Sequence, residues 1–211
     1  MTRLAGLYVI TPQAHGPTTA VLEQVSKAIA GGAQLVQYRD KDASTSERRE
    51  RARALRLACR ARDVPLIVND DLDLAAELGA EGVHLGREDP DPRRARARLG
   101  RTALIGVSCY NSLARAEAAE AAGADYLAFG SFFPSQTKPA AVRAGPELLR
   151  AARLRLKRPV VAIGGITPDN GGSLIAAGAD MLAVVTGVFA APDVQAAARA
   201  YTRLFPTEDL R

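Results

Sequence analysis

Gly32-Ala33-Gln34-Leu35-Val36-Gln37-Tyr38-Arg39-Asp40-Lys41 passes within ten residues from a helix stop, through an apolar run, into a charged rim. A glycine just past a helix end adopts the left-handed conformation that other residues resist, and the chain can then turn into a strand. The apolar run here spans residues 35–39. The same Gly-Ala step recurs at Gly79-Ala80, Gly123-Ala124 and Gly178-Ala179, ahead of apolar runs at Gly82–Leu85, Tyr126–Gly130 and 181–185. Successive copies lie 47, 44 and 55 residues apart, room for two strand-plus-helix units each.

The intervening units follow from pattern. Gly6–Ile10, Leu66–Asn69, residues 104–108 and Val160–Ile163 are short runs rich in Val, Ile and Leu. Such runs suit strands buried on both faces, as parallel strands are. Helices fall between them. Val21, Leu22, Val25, Ala28 and Ile29 have the three-and-four spacing of an apolar helix face. Ser44 and Glu47 form a capping-box pair, and Thr167-Pro168 supplies a cap followed by proline at the first helical position. Eight strands, each followed by a helix, predict a single (β/α)8 TIM barrel over residues 1–211. A doubly wound open sheet is the alternative, but Thr11-Pro12-Gln13 stands after the first strand where such a fold carries G-x-G-x-x-G.

Composition supports one core: 47% of the 211 residues are apolar and 24% charged, which excludes a disordered, collagen-like or coiled-coil chain. No apolar run reaches the roughly 18 residues of a membrane-spanning helix. The opening MTRLAGLYVITP turns polar too soon for a signal peptide, and Cys59 and Cys109 are too few for a disulfide framework. The expectation is a soluble, reduced, cytoplasmic protein. Net charge is +5. The arginine excess sits in the helical stretches 47–62 and 93–101, without interleaved aromatics or any Trp. It therefore reads as solvated helix surface rather than a nucleic-acid groove, although a positive field favours anionic substrates.

In such barrels the chemistry lies where strands exit into helices. Arg39 and Lys41 share a parity and suit a phosphate or diphosphate; the alternative is ion pairing with Asp40 or Asp42. Asp70 and Asp89 on neighbouring rims fit a Mg²⁺ that keeps waters and bridges a diphosphate. Capping of the following helix is the other role open to this region, and Asp71 takes it. Gly164-Gly165 and Thr186-Gly187 end strands seven and eight, where barrels bind phosphate; two ordinary turns are the alternative. Residues 131–145, the longest connection, read as a lid or binding loop anchored by Phe132 and Phe133. His84 reads as a core histidine, His15 as a loop residue and Cys109 as a small buried one. Ser108, with no Ser-His-Asp context in the sequence, reads as a substrate contact rather than a nucleophile.

Taken together, these motifs resemble the thiamine phosphate synthase family across nearly the whole chain. The matching segments are Gly6-Leu7-Tyr8-Val9-Ile10-Thr11, Gln37-Tyr38-Arg39-Asp40-Lys41, Leu66-Ile67-Val68-Asn69-Asp70-Asp71, Gly82-Val83-His84-Leu85-Gly86, Phe133-Pro134-Ser135-Gln136-Thr137-Lys138 and Val161-Ala162-Ile163-Gly164-Gly165-Ile166. No one segment is specific; their order is. The resemblance implies a (β/α)8 barrel and a Mg²⁺-dependent transferase. Such an enzyme joins 4-amino-2-methyl-5-hydroxymethylpyrimidine diphosphate to a thiazole phosphate, giving thiamine phosphate and pyrophosphate. It implies that Gln37, Arg39, Lys41, Asn69 and Lys138 hold the pyrimidine diphosphate and Asp70 and Asp89 the metal. Ser108 then touches the substrate or departing diphosphate, while Ser135, Thr137, Gly165 and Thr186 bind the thiazole phosphate. Arg39, Lys41, Ser108 and Lys138 are the expected catalytic set. Three positions depart from the family pattern: Ser135 stands for Thr, Thr186 for Ser and Ser131 for Pro. Homo-oligomerisation is left open. A thiazole tautomerase of the same barrel type, which needs no metal-diphosphate site, and a non-catalytic phosphate- or nucleic-acid-binding barrel are the competing readings.

Overall fold

A computed structural model of the chain describes residues 4–13, 16–134 and 142–206. Eight strands form a closed, all-parallel barrel in sequence order, with β8 returning to pair with β1. They are β1 (Gly6–Ile10), β2 (Ala33–Tyr38), β3 (Leu66–Asn69), β4 (Gly82–Leu85), β5 (Leu104–Tyr110), β6 (Tyr126–Gly130), β7 (Val160–Ile163) and β8 (Met181–Val184). The surrounding helices are α1 (Thr18–Ala30), α2 (Thr45–Arg60), α3 (Leu72–Leu78), α4 (Pro92–Leu99), α5 (Leu113–Ala121), α6 (Pro146–Arg155), α7 (Pro168–Ala176), the short α8 (Thr186–Phe189) and α9 (Val194–Thr202).

The Gly-Ala repeat does what its chemistry demands. Gly32, Gly79, Gly123 and Gly178 have φ of 104°, 61°, 94° and 116°, the region a Cβ disfavours. Period-two alternation then sorts each strand into two layers. Leu7, Val9, Val36, Leu66, Val68, Val83, Ile105, Leu127 and Leu182 point outward and pack against the helices. Tyr8, Ile10, Leu35, Ile67, Tyr126, Val161 and Met181 fill the barrel interior. The capping box at α2 forms as expected, with Glu47 N–H donating to Ser44 Oγ and Ser44 N–H to Glu47 Oε2.

Three sequence expectations need correction. β2 begins two residues early, at Ala33, and ends at Tyr38, so Arg39 lies just beyond the strand. β5 continues to Tyr110, past the expected end at Ser108. The helix arginines are not uniformly solvated surface. Arg51 is buried among Ala52, Leu55 and Cys59 on the inner face of α2. Arg96 turns back to donate to the carbonyls of Gly100, Ala103 and Gly123 and to Asp125, closing the barrel's lower end. A cavity of about 810 Å³ opens at that lower end beside Pro65, Glu81, Thr102 and Asp125, and a smaller one of about 390 Å³ opens at the upper rim beside Lys41, Asn69 and Asp70. Of the residues that the sequence assigns to the chemistry, Lys41, Asn69 and Asp70 line the smaller.

Candidate active site at the upper rim of the barrel

The Arg39–Lys41 segment is pinned by the loop that leaves β1. Thr11 Oγ1 accepts from the Arg39 N–H at 2.9 Å and donates to the Arg39 carbonyl at 3.1 Å. The Lys41 N–H donates to Gln13 Oε1 at 3.0 Å. Asp40, between the two cations, turns away from both. Its side chain is 1% exposed and bonded at 2.7 Å by Arg51 Nη1, whose Nη2 donates to the Gly16 carbonyl. Ion pairing of Lys41 with Asp40 is therefore not what the fold builds. Lys41 Nζ instead lies 2.8 Å from Asp70 Oδ2.

Asp70 sits at φ 62°, a left-handed position that Asp tolerates better than most residues. Its N–H donates to the His84 carbonyl at 2.9 Å, tying β3's exit to β4. The two roles read from the sequence are divided between neighbours: Asp71 Oδ1 caps α3 by accepting from Leu74 N–H, which leaves Asp70 on the rim. Asp89 Oδ2 accepts from Gly86 N–H at 2.5 Å, and a Cβ at Gly86 would stand 3.0 Å from that oxygen.

The two carboxyls lie within hydrogen-bonding reach of each other. Partial burial works to raise Asp70, but hydrogen bonds from Lys41, Asp89 and Asn69 outweigh it and hold Asp70 below the usual carboxylate range. Burial raises Asp89; the Gly86 N–H opposes this and the Asp70 charge reinforces it, so Asp89 stays above that range. Like charges this close are tolerable when a proton or a cation lies between them. Two carboxylate oxygens suit a hard divalent ion, and two protein ligands are what Mg²⁺ uses when substrate phosphate and water complete its shell. Among the described residues no group of three or more His, Cys, Asp and Glu gathers to form a closed metal cage. The residues present fit Mg²⁺ held jointly with a diphosphate.

β7 and β8 pair side by side, and Gly165 and Thr186 stand at their adjacent ends, Thr186 exposed as the first residue of α8. Gly165 has φ 62°, and a Cβ there would lie 2.3 Å from the Pro134 carbonyl, so only glycine permits the approach. That approach anchors the base of the long connection. Phe132 and Phe133 N–H groups donate to the Ile163 and Gly164 carbonyls, and Ser131 exchanges backbone bonds with Val142 and Ala144. Phe132 is buried and Phe133 packs partly against the core, as the sequence suggested. Ser135, Thr137 and Lys138 lie outside the described residues, as does His15, and the lid reading of 131–145 turns on them.

The family model described as thiamine monophosphate synthase matches residues 7–188. The chain belongs to the thiamine monophosphate synthase family. It is 54% identical over 203 residues to the thiamine-phosphate synthase of Azoarcus sp. (strain BH72), covering 96% of this chain and 98% of that one. Identity to the thiamine-phosphate synthase of Aromatoleum aromaticum is also 54%, over 204 residues, with 97% and 98% covered. The solved thiamine phosphate pyrophosphorylase of Pyrococcus furiosus superposes with a TM-score of 0.85 at 38% identity, covering 98% of this chain and 96% of that one.

Set within this synthase family, the barrel holds polar groups that the sequence reading did not assign. Gln37, a substrate contact by the family resemblance, is buried below the rim, where its Nε2 donates to Tyr8 Oη at 2.5 Å. Tyr8 Oη lies 2.9 Å from Tyr126 Oη, and Tyr126 Oη 3.1 Å from His84 Nδ1. His84 Nε2 is 2.8 Å from Ser108 Oγ, so Ser108 does have a histidine partner, backed by a phenol instead of a carboxylate. Arg115, on α5, donates to the Ser108 and Gly86 carbonyls, both at 2.8 Å, and so staples the ends of β4 and β5. The inward parity shared by Tyr8, Gln37, His84, Ser108 and Tyr126 was the available signal.

Proposed function

We propose that the protein is a thiamine-phosphate synthase, a transferase that displaces pyrophosphate from the pyrimidine diphosphate with a thiazole phosphate, acting with Mg²⁺ and without nucleic acid or membrane. The observation that supports it most is the joining of Lys41, Asp70 and Asp89 in one cluster at the strand exit whose sequence also carries Arg39. A tautomerase has no use for that cluster. We read residues 1–211 as a single catalytic domain, cytoplasmic in location; no helix among the described residues is long and apolar enough to cross a membrane.

Arg39 and Lys41 clamp the diphosphate, one as a planar fork and the other as a point charge. Asp70 and Asp89 hold Mg²⁺, with Asn69 orienting Asp70. When bound, the ion supplies positive charge against the leaving diphosphate. Pyrophosphate departs with the electron pair of its C–O bond from a benzyl-like methylene, and the electron-rich aminopyrimidine stabilises the cation left behind. The thiazole nitrogen then donates its lone pair to that carbon. Gln37 underlies the pyrimidine site. Gly165 and Thr186 offer backbone and hydroxyl groups to the thiazole phosphate. By family resemblance, Ser135 and Thr137 join them and Lys138 reaches the diphosphate. The chemistry needs no side-chain nucleophile, and burial pushes the Cys59 and Cys109 thiols up to about 12, far from thiolate at neutral pH.

Calorimetry on Arg39→Ala tests the assignment. Loss of a charged hydrogen-bonding partner, about 1.5–3 kcal/mol, weakens pyrimidine diphosphate binding roughly ten- to a hundredfold and leaves thiazole phosphate binding intact. Loss confined to the thiazole phosphate would reverse the assignment of the two ends of the rim.

A further inference from the structure

Ser108 can meet an anion in two ways, and the difference lies in a line of buried groups beneath it. We propose that Tyr8, Tyr126 and His84 are positioning residues in a hydrogen-bond chain polarised by the Gln37 amide, which presents the Ser108 hydroxyl as a donor to the anionic leaving group. The identity of that leaving group rests on the synthase reading; the polarity of the chain does not.

Each proton along the chain has one place to go. Gln37 Nε2 can only donate, and it donates to Tyr8 Oη. The Tyr8 hydroxyl has one proton of its own, and its other partner is Tyr126 Oη. Tyr126, having accepted from Tyr8, directs its proton to His84 Nδ1. An imidazole that accepts at Nδ1 carries its hydrogen at Nε2, and that N–H donates to Ser108 Oγ. One Ser108 lone pair is thereby occupied, and its O–H, with no acceptor on His84, points away from the chain. Hydrogen bonds aligned head to tail also polarise one another, which strengthens the terminal donor.

Two features keep the order fixed. Burial raises both phenols well above their ordinary range, so each keeps its proton and neither becomes an acceptor-only phenolate. The rings are also held tightly: Tyr8 meets Tyr126 edge-on at 5.8 Å between centroids, and His84 stacks on Tyr126 at 5.6 Å. A Cβ at Gly106 would stand 2.0 Å from Tyr126 Cζ, so the glycine makes room for that phenol. Were the Gln37 amide reversed, every bond would invert. His84 Nε2 would accept from Ser108, and the serine would face the substrate with a lone pair, an arrangement for a nucleophile that repels a departing anion.

Imidazole nitrogen NMR on ¹⁵N-labelled protein reads this directly, and with two histidines in the chain a His15→Asn variant assigns the signals. The wild-type protein is expected to hold His84 as the Nε2–H tautomer. Tyr126→Phe removes the donor to Nδ1; it is expected to mix the tautomers and lower kcat about ten- to a hundredfold, with KM for both substrates held. Gln places an amide N–H near the Nε2 position and Asn does not, so His84→Gln retains more kcat than His84→Asn. An Nδ1–H tautomer in the wild-type protein overturns the proposal, as does a Tyr126→Phe variant with both tautomer and kcat unchanged. If the wild-type protein forms no thiamine phosphate, the synthase reading falls while the tautomer still decides the polarity.

Discussion

Replacing Arg51 with Met separates the structural support of the rim from its chemistry. Arg51 and Asp40 are 7% and 1% exposed at the side chain and 2.7 Å apart. Methionine keeps much of the apolar stem but leaves the Asp40 carboxylate buried without its guanidinium. Breaking such a pair on one side costs about 3–5 kcal/mol, because the remaining charge is uncompensated. In a chain of this length each kcal/mol shifts Tm by about 2–4 °C, so the drop is roughly 6–20 °C. Calorimetric or circular-dichroism melting measures it. The double variant Asp40→Asn/Arg51→Met removes the stranded charge and recovers part of the loss. Asp40 lies between Arg39 and Lys41, and Arg51 also holds the Gly16 carbonyl. Well below its Tm, the single variant is therefore expected to show a raised KM for the pyrimidine diphosphate. A single variant melting within about 2 °C of wild type would refute the claim that this buried pair holds the rim.

Two further outcomes follow from the same geometry. Asp89 holds its proton to a higher pH than an ordinary carboxyl, so Mg²⁺ must displace that proton. Metal affinity is accordingly full above the raised pKa of Asp89 and lost as pH falls through it, with proton release visible by calorimetry in buffers of different ionisation enthalpy; a flat affinity across the acid range would contradict the paired-carboxyl site. Arg115→Met frees the Gly86 and Ser108 carbonyls together and is expected to lower kcat about tenfold or more and to lower the Tm measurably as well, because two charged hydrogen bonds that position Asp89 and Ser108 are lost; unchanged kcat in the folded variant would contradict that positioning role.

The barrel was legible because its punctuation is local. A positive φ at Gly32, Gly79, Gly123 and Gly178 is a requirement on one residue, and strands buried on both faces betray themselves by unbroken apolar runs. Boundaries were less legible where neighbours decide them. Ala33 joins β2 because Leu7 of the neighbouring β1 pairs with it. Tyr110, at φ 56°, extends β5 under the cover of Arg87 and Arg115 stacked on its ring. The rim carboxylates could be placed from their strand-end positions, but the pairing of Lys41 with Asp70 joins two different strand exits. Arg51 was misassigned with its exposed neighbours although it shares a helix face with Leu55 and Cys59, a spacing that signals burial. The chain beneath Ser108 was hidden because Tyr8 and Tyr126 are 118 residues apart, and parity gives a direction without a partner.

The central claim is that the Arg39, Lys41, Asp70 and Asp89 rim carries out a metal-assisted displacement of pyrophosphate. Mixing the purified protein with pyrimidine diphosphate, thiazole phosphate and Mg²⁺, and separating the products by chromatography, tests it most directly. The account predicts thiamine phosphate and pyrophosphate in equal amounts, abolished by excess EDTA and restored by Mg²⁺. Asp70→Asn, which keeps a residue suited to the left-handed backbone at that position, is expected to melt as the wild type does and to form no product. Absence of thiamine phosphate from the wild-type reaction, or undiminished formation in excess EDTA, would contradict the account.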